Sequence, residues 1–164
     1  MNLNELKFFT IGVYNSNKNE FYNKLIANKI DTFCDIRQRR GVRGSKYSFV
    51  NSIILQNDIK TYKINYLYLK ELAPTMEIRK LQNDEDALKN ILKKDRNSLS
   101  NIFINEYKNK ILKNYDFKLF LNKLDSINSK RVVFFCVEQI PEACHRSLVA
   151  EYLKMNFGSE ITNL

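Results

Sequence analysis

Apolar positions fall into short runs near both ends of the chain and into helical spacing between them. Phe8, Phe9, Ile11 and Val13 form the first run, Lys7 to Val13, whose length and density predict a buried strand. Gly12 stands near its end, where the backbone must turn or approach something closely. Asn17 or Asn19 can cap a helix over about Asn19 to Asn28, which carries Phe21, Leu25 and Ile26 on one face. Asp31 to Ile36 predicts a second strand, with Phe33, Cys34 and Ile36. Strand, helix and strand with short connections make a βαβ unit, which builds a parallel sheet.

A basic loop follows, from Arg37 to Lys46. Phe49 to Asn57 then predicts a helix, and Asn65 to Leu69 a third strand. Pro74 breaks the chain. The segment from Met76 to Lys130 has helical periodicity throughout: Leu88, Ile91 and Leu92; Ile102, Phe103 and Tyr107; Phe117, Phe120, Leu121 and Leu124. Arg131 to Glu138 is the clearest buried strand. Cys144 to Asn156 is a helix with Leu148, Val149, Tyr152 and Leu153 on its apolar face, and Ile161 to Leu164 is a short last strand. The sum is one α/β domain over residues 1–164: an open, mostly parallel sheet with helices on both faces and a helical insertion, about 76–130, before the strand at 131–138.

The length of 164 residues suits a single core, and 44% hydrophobic content suits a folded chain. No apolar run approaches the roughly 20 residues that cross a bilayer, so no membrane partner is expected. The first residues, Met1 to Glu5, run straight into the first strand without a leader, and a cytoplasmic location is expected. Three cysteines, Cys34, Cys136 and Cys144, suit free thiols rather than a disulfide scaffold. The pattern carries no signal for an oligomeric state. The net charge of +9 attracts polyanions, nucleic acid first among them.

Ligands of open parallel sheets bind outside the carboxyl ends of the strands. Three segments end there: the turn after the first strand, the basic loop, and the loop after Glu138. The loop holds Arg37, Arg39, Arg40, Arg43 and Lys46 with no acid among them. Guanidinium forks match phosphate oxygens, which makes these arginines anion-binding candidates; a solvated charged loop has the same composition. Asp35 precedes them, either as an ion-pair partner or as a base. In the other loop His145, the only histidine, adjoins Cys144 at a helix start, with Arg146 beside it as a further anion-binding candidate. A helix N-terminus and a nearby cation lower a thiol pKa, so Cys144 is either a reactive thiolate or a small packed residue. Glu138 and Asp35 end nearby strands and form a candidate acid–base pair. Cys136, Cys144, His145 and Glu138 also raise a metal hypothesis. Seven residues separate the cysteines, however, which is no zinc-ribbon spacing, and neither a metal nor a cofactor is expected.

Cys34-Asp35-Ile36-Arg37, the loop Gln38-Arg39-Arg40-Gly41-Val42-Arg43-Gly44 and Glu71-Leu72-Ala73-Pro74-Thr75 with Arg79 resemble one family, as does Cys136-Val137-Glu138 followed by Pro141 and Cys144-His145-Arg146. Thr10-Ile11-Gly12 is similar to its opening turn. That family is the "domain of unknown function 488" family, and the resemblance runs from about Thr10 to the C-terminus. Val13 departs from it, since many members carry histidine or tyrosine after this glycine; Tyr14 is the residue that would substitute. Ala73-Pro74 departs too, where other branches tend to show glycines. The resemblance implies an α/β sheet domain and a shared site of Asp35, Arg37, Glu138, Cys144, His145 and Arg146, with no substrate attached.

Three functional readings follow. The first is a domain that binds or processes nucleic acid or nucleotides, or another phosphate-bearing anion, through the basic loop beside Asp35, Glu138, Cys144 and His145. The second is a small-molecule enzyme with a Cys144 nucleophile. The third is a non-catalytic interaction domain.

Overall fold

The computed structural model describes residues 5–164; the expected leaderless start at Met1 to Asn4 lies outside the described residues. Five strands form one sheet: β1 (Lys7–Ile11), β2 (Thr32–Asp35), β3 (Asn65–Tyr68), β4 (Arg131–Phe135) and β5 (Ile161–Asn163). Their order is β3-β2-β4-β1-β5, and every neighbouring pair is parallel. The expected open α/β sheet is therefore present, and it is fully rather than mostly parallel. β1 and β2 are not neighbours: β4 arrives late in the chain and lies between them.

Burial on both faces explains the continuous apolar runs. Phe9, Phe33, Val133 and Phe135 face α1 (Lys18–Ala27) and α2 (Ser52–Thr61). Phe8, Cys34, Val132 and Phe134 face the other layer. That layer holds α3 (Met76–Leu88), α4 (Asn101–Tyr107), α5 (Phe117–Ser126) and α6 (His145–Phe157). The segment from Met76 to Lys130 is thus the helical insertion expected from its periodicity. Asn17 starts α1 with a reciprocal capping box to Glu20, and Thr75, Ser100 and Asp116 cap α3, α4 and α5.

Boundaries moved where side chains left the ladder. β4 ends at Phe135 rather than Glu138, because residues 136–138 peel toward β1: the Val13 and Tyr14 N–H groups both donate to the Val137 carbonyl. Phe49 lies in a 3-10 turn, Ser48–Val50, and α2 starts only after it. Among the described residues no helix is long and apolar enough to cross a membrane.

β2 and β4 are hydrogen-bonded neighbours, with Asp35 opposite Phe135, yet their outgoing connections go to opposite faces. Such a divergence opens a crevice at the carboxyl edge. The segments after Asp35 and after Phe135 border it.

Candidate functional site at the carboxyl edge of the sheet

One wall of the edge is an internal ion pair. Asp35 is fully buried at the end of β2, and Arg37 is 3% exposed. Arg37 Nε donates to Oδ1 at 2.9 Å and Nη2 to Oδ2 at 2.7 Å, while its backbone N–H also reaches Oδ1. The Tyr66 hydroxyl donates to Oδ2 at 2.8 Å. Burial, and then the Asp35 charge, push the Tyr66 pKa up, so the hydroxyl keeps its proton. Four donors fill the four acceptor positions of a carboxylate. The Arg37 guanidinium lies 4.6 Å over the Phe135 ring. Arg40 lies 4.2 Å over the Tyr68 ring. Of the predicted anion-binding arginines in the loop, Arg39 and Arg43 are exposed to solvent, together with Lys46. Gly44 has φ +81°, a left-handed conformation that lets the loop turn at low cost.

The other wall is built from the end of β4 and the start of α6. Cys136 follows β4 directly and remains attached to the sheet through its N–H to the Ile11 carbonyl. Cys144 is the N-cap of α6 and His145 its first residue, so the 3-10 turn Pro141–Ala143 returns the chain to Cys136. The Cys136 and Cys144 sulfurs both lie 3.9 Å from His145 Nδ1. His145 Nε2 lies 3.0 Å from the Ile36 carbonyl. Tyr107 packs against the imidazole, its hydroxyl donating to the Leu72 carbonyl. Arg146 is buried and turned inward, with Nη1 donating to the Glu138 carbonyl and Nη2 to that of Gln139 at 2.7 Å.

The two thiols titrate against each other. The hydrogen bond to Cys144, and then burial, raise the Cys136 pKa well above that of an ordinary thiol. Burial opposes a Cys144 thiolate. The Cys136 hydrogen bond and the charges of His145 and Arg146 outweigh it and hold Cys144 well below the ordinary range.

This wall lines a cavity of about 230 Å³. Cys136, Glu138, Cys144 and His145 lie on one side, and Arg79, Lys93 and Arg96 from the helical insertion on the other. Lys93 pairs with the Glu138 carboxylate at 3.3 Å. Arg96 is fixed by Asp86, which also accepts from Gln82. A groove of about 410 Å³ continues outward along Lys93, Arg96 and Glu138 to Tyr14 and Tyr47. The two tyrosine rings are 5.2 Å apart, and Lys46 lies over the Tyr47 ring. The groove thus connects the cavity to the end of the basic loop.

A family model described as "Domain of unknown function DUF488" matches residues 17–153. The chain belongs to that family. No curated protein and no solved structure matches it. The DUF488 match includes Asp35, the basic loop and the Cys136–Arg146 segment; Thr10-Ile11-Gly12 lies outside it. At the position after Gly12, Val13 is buried in the core, and it is Tyr14 that lines the groove.

Of the residues singled out from sequence, Glu138, Cys144 and His145 meet at the cavity. Asp35 and Arg37 meet each other on the opposite face. Arg39 and Arg43 flank the edge, Arg40 covers Tyr68, and Arg146 braces the loop after β4. Lys93 and Arg96 were missed as site residues, and Arg79 entered only as part of a family motif. They sit in a segment whose charges read as a solvated helical face. The one usable signal was Asp86, an acid that needs a partner once its helix face is buried.

Proposed function

We propose that this DUF488 protein binds nucleic acid or nucleotides along the carboxyl edge, with phosphates on its cations and bases on its aromatic groove. The observation that carries this reading is the groove: the half-buried Tyr14 and Tyr47 share it with Lys93 and Arg96, and it runs from the basic loop to the cavity. Aromatic faces beside cations form a platform for single-stranded nucleic acid, with stacking worth about 1–3 kcal/mol per base. Arg39, Arg43 and Lys46 supply phosphate contacts outside the groove, and Arg79 lines the cavity without an ion-pair partner among the described residues.

Binding of labelled single- and double-stranded DNA and RNA across a salt series tests this. An Arg39/Arg43/Lys46→Ala variant is expected to weaken binding at every sequence. It should flatten the log–log salt slope by about 0.7–0.9 for each phosphate that the protein no longer neutralises. No binding by the folded native protein at low salt, or an unchanged slope in the variant, counts against the reading.

A second reading has its own observation: Cys144 lines the cavity with His145 Nδ1 3.9 Å from its sulfur, and its neighbours lower its pKa. It makes Cys144 a nucleophile toward a small anionic substrate. In metal-free protein, the alkylation rate at Cys144 should level off at lower pH than that of an ordinary thiol, because its pKa is lowered. An ordinary thiol, titrating near about 8.5, would instead gain rate as pH rises through neutrality. Peptide mapping of labelled protein reads both. A Cys144 no faster than Cys34, which is fully buried, rejects this reading.

A further inference from the structure

His145 shows which of its nitrogens is free. Nε2 faces the Ile36 carbonyl at 3.0 Å, and a carbonyl only accepts, so Nε2 carries the proton. In the neutral imidazole, the form that binds a metal, Nδ1 then holds a lone pair, and it faces two sulfurs at 3.9 Å each. An imidazole that donates one ring N–H to a backbone carbonyl and presents the other nitrogen is the arrangement of a metal ligand.

The Cys136 and Cys144 sulfurs and the His145 nitrogen all lie within 4.8 Å of one another. A tetrahedral zinc ion, with bonds of about 2.1 Å to nitrogen and 2.3 Å to sulfur, needs its ligand atoms about 3.6 Å apart. Movements of a few tenths of an ångström at the sulfur–nitrogen distances reach that spacing. The three ligands sit on anchored backbone: Cys136 just past the end of β4 and bonded to the Ile11 carbonyl, Cys144 and His145 at the start of α6. The spacing of the cysteines argued against a metal only so long as they had to come from one loop. Here the end of a strand and the start of a helix supply them.

We infer that Cys136, Cys144 and His145 Nδ1 bind one zinc-type divalent cation, with its fourth position open to the cavity. Two thiolates and an imidazole suit a borderline-soft ion, and three protein ligands with one open position are the pattern of catalytic zinc. Glu138 stands two residues after Cys136 and lines the same cavity, where it can take the proton of a water held at that position. The ion requires nothing of the cations outside the cavity, so it stands independently of nucleic-acid binding.

The test is a cobalt titration of the reduced, chelator-stripped full chain, without nucleic acid. The expected result is a thiolate-to-cobalt charge-transfer band in the near ultraviolet with tetrahedral bands in the visible. These should saturate at one equivalent and bleach on adding one equivalent of zinc. Cys144→Ser and His145→Gln are expected to weaken binding by more than about 100-fold, beyond what loss of an outer-shell partner costs. Cys34→Ala, which removes a buried thiol outside the group of three ligand atoms, keeps the spectrum. Folded native protein that develops no thiolate band in excess cobalt overturns the site, whatever the variants do. So does a band that survives in Cys144→Ser, or one that disappears in folded Cys34→Ala.

Discussion

Arg37→Met should cost about 3–5 kcal/mol of folding stability, the usual result of breaking a buried ion pair from one side. Asp35 has no exposed surface, so its carboxylate cannot recover water when the guanidinium is removed. Only the Tyr66 hydroxyl and the backbone N–H of residue 37 would remain as donors. Methionine fills much of the arginine's volume against Phe135, so the loss reports the stranded charge more than a cavity. Adding Asp35→Asn to Arg37→Met removes that charge and should restore part of the stability. Urea unfolding of the two single variants, the double variant and the native protein reads this cycle. A loss under about 1 kcal/mol for Arg37→Met would mean that the pair is dispensable. The cycle also separates two roles for Asp35. A carboxylate saturated by four donors predicts a stability defect in Asp35→Asn, whereas an acid–base catalyst predicts lost turnover in a stably folded protein.

The contrast between Asp35 and Glu138 shows how far the sequence can be read. Both end strands, and both look alike as strand-end carboxylates. Hydrophobic patterning found all five strands and the helical insertion; in β1, β2 and β4, burial on both faces writes itself as unbroken apolar runs. Position along a strand also brought both acids to the correct edge. Which face each side chain takes depends on its parity in the strand and on the register between strands. β2 keeps Asp35 in register, above Phe135 and beside Tyr66. Glu138 follows Phe134 and Cys136 at two-residue spacing and so lies toward the opposite layer. Strand order was hidden for a related reason. A βαβ unit suggests adjacent strands, and nothing in residues 7–36 tells that β4, a hundred residues later, will separate them. The cations of the cavity were illegible because Arg96 pairs with Asp86 ten residues away, from the connection beyond α3, and spacing alone marks no such pair. The family motifs named Glu138, Cys144 and His145, which the fold brings to one cavity, but nothing in those motifs tells that Arg146 donates to the backbone carbonyls of Glu138 and Gln139.

Gly12→Ala is predicted to be among the most damaging single-methyl changes in the chain, at about 3 kcal/mol or more. At an unconstrained position the same substitution stabilises by about 0.4–1 kcal/mol, because alanine restricts the unfolded chain, so the sign alone is diagnostic. A Cβ on residue 12 would stand 2.1 Å from the Glu138 carbonyl oxygen and 3.0 Å from its carbon. Both are backbone atoms, and neither can rotate aside. The Glu138 carbonyl is also held by Arg146 Nη1, and the Val137 carbonyl by the N–H groups of Val13 and Tyr14. Moving the loop to admit the methyl group therefore breaks the bonds that attach the end of β4 to the turn after β1. The same loop carries Glu138 and begins at Cys136, so the damage should reach the cavity. Denaturant unfolding is expected to show the lowered midpoint. Cobalt binding, measured under conditions where the variant is still folded, is expected to weaken with it. A Gly12→Ala protein as stable as the native one would show that residues 136–139 are free to move, and the tight junction of β1, β4 and α6 could not then be what shapes the site.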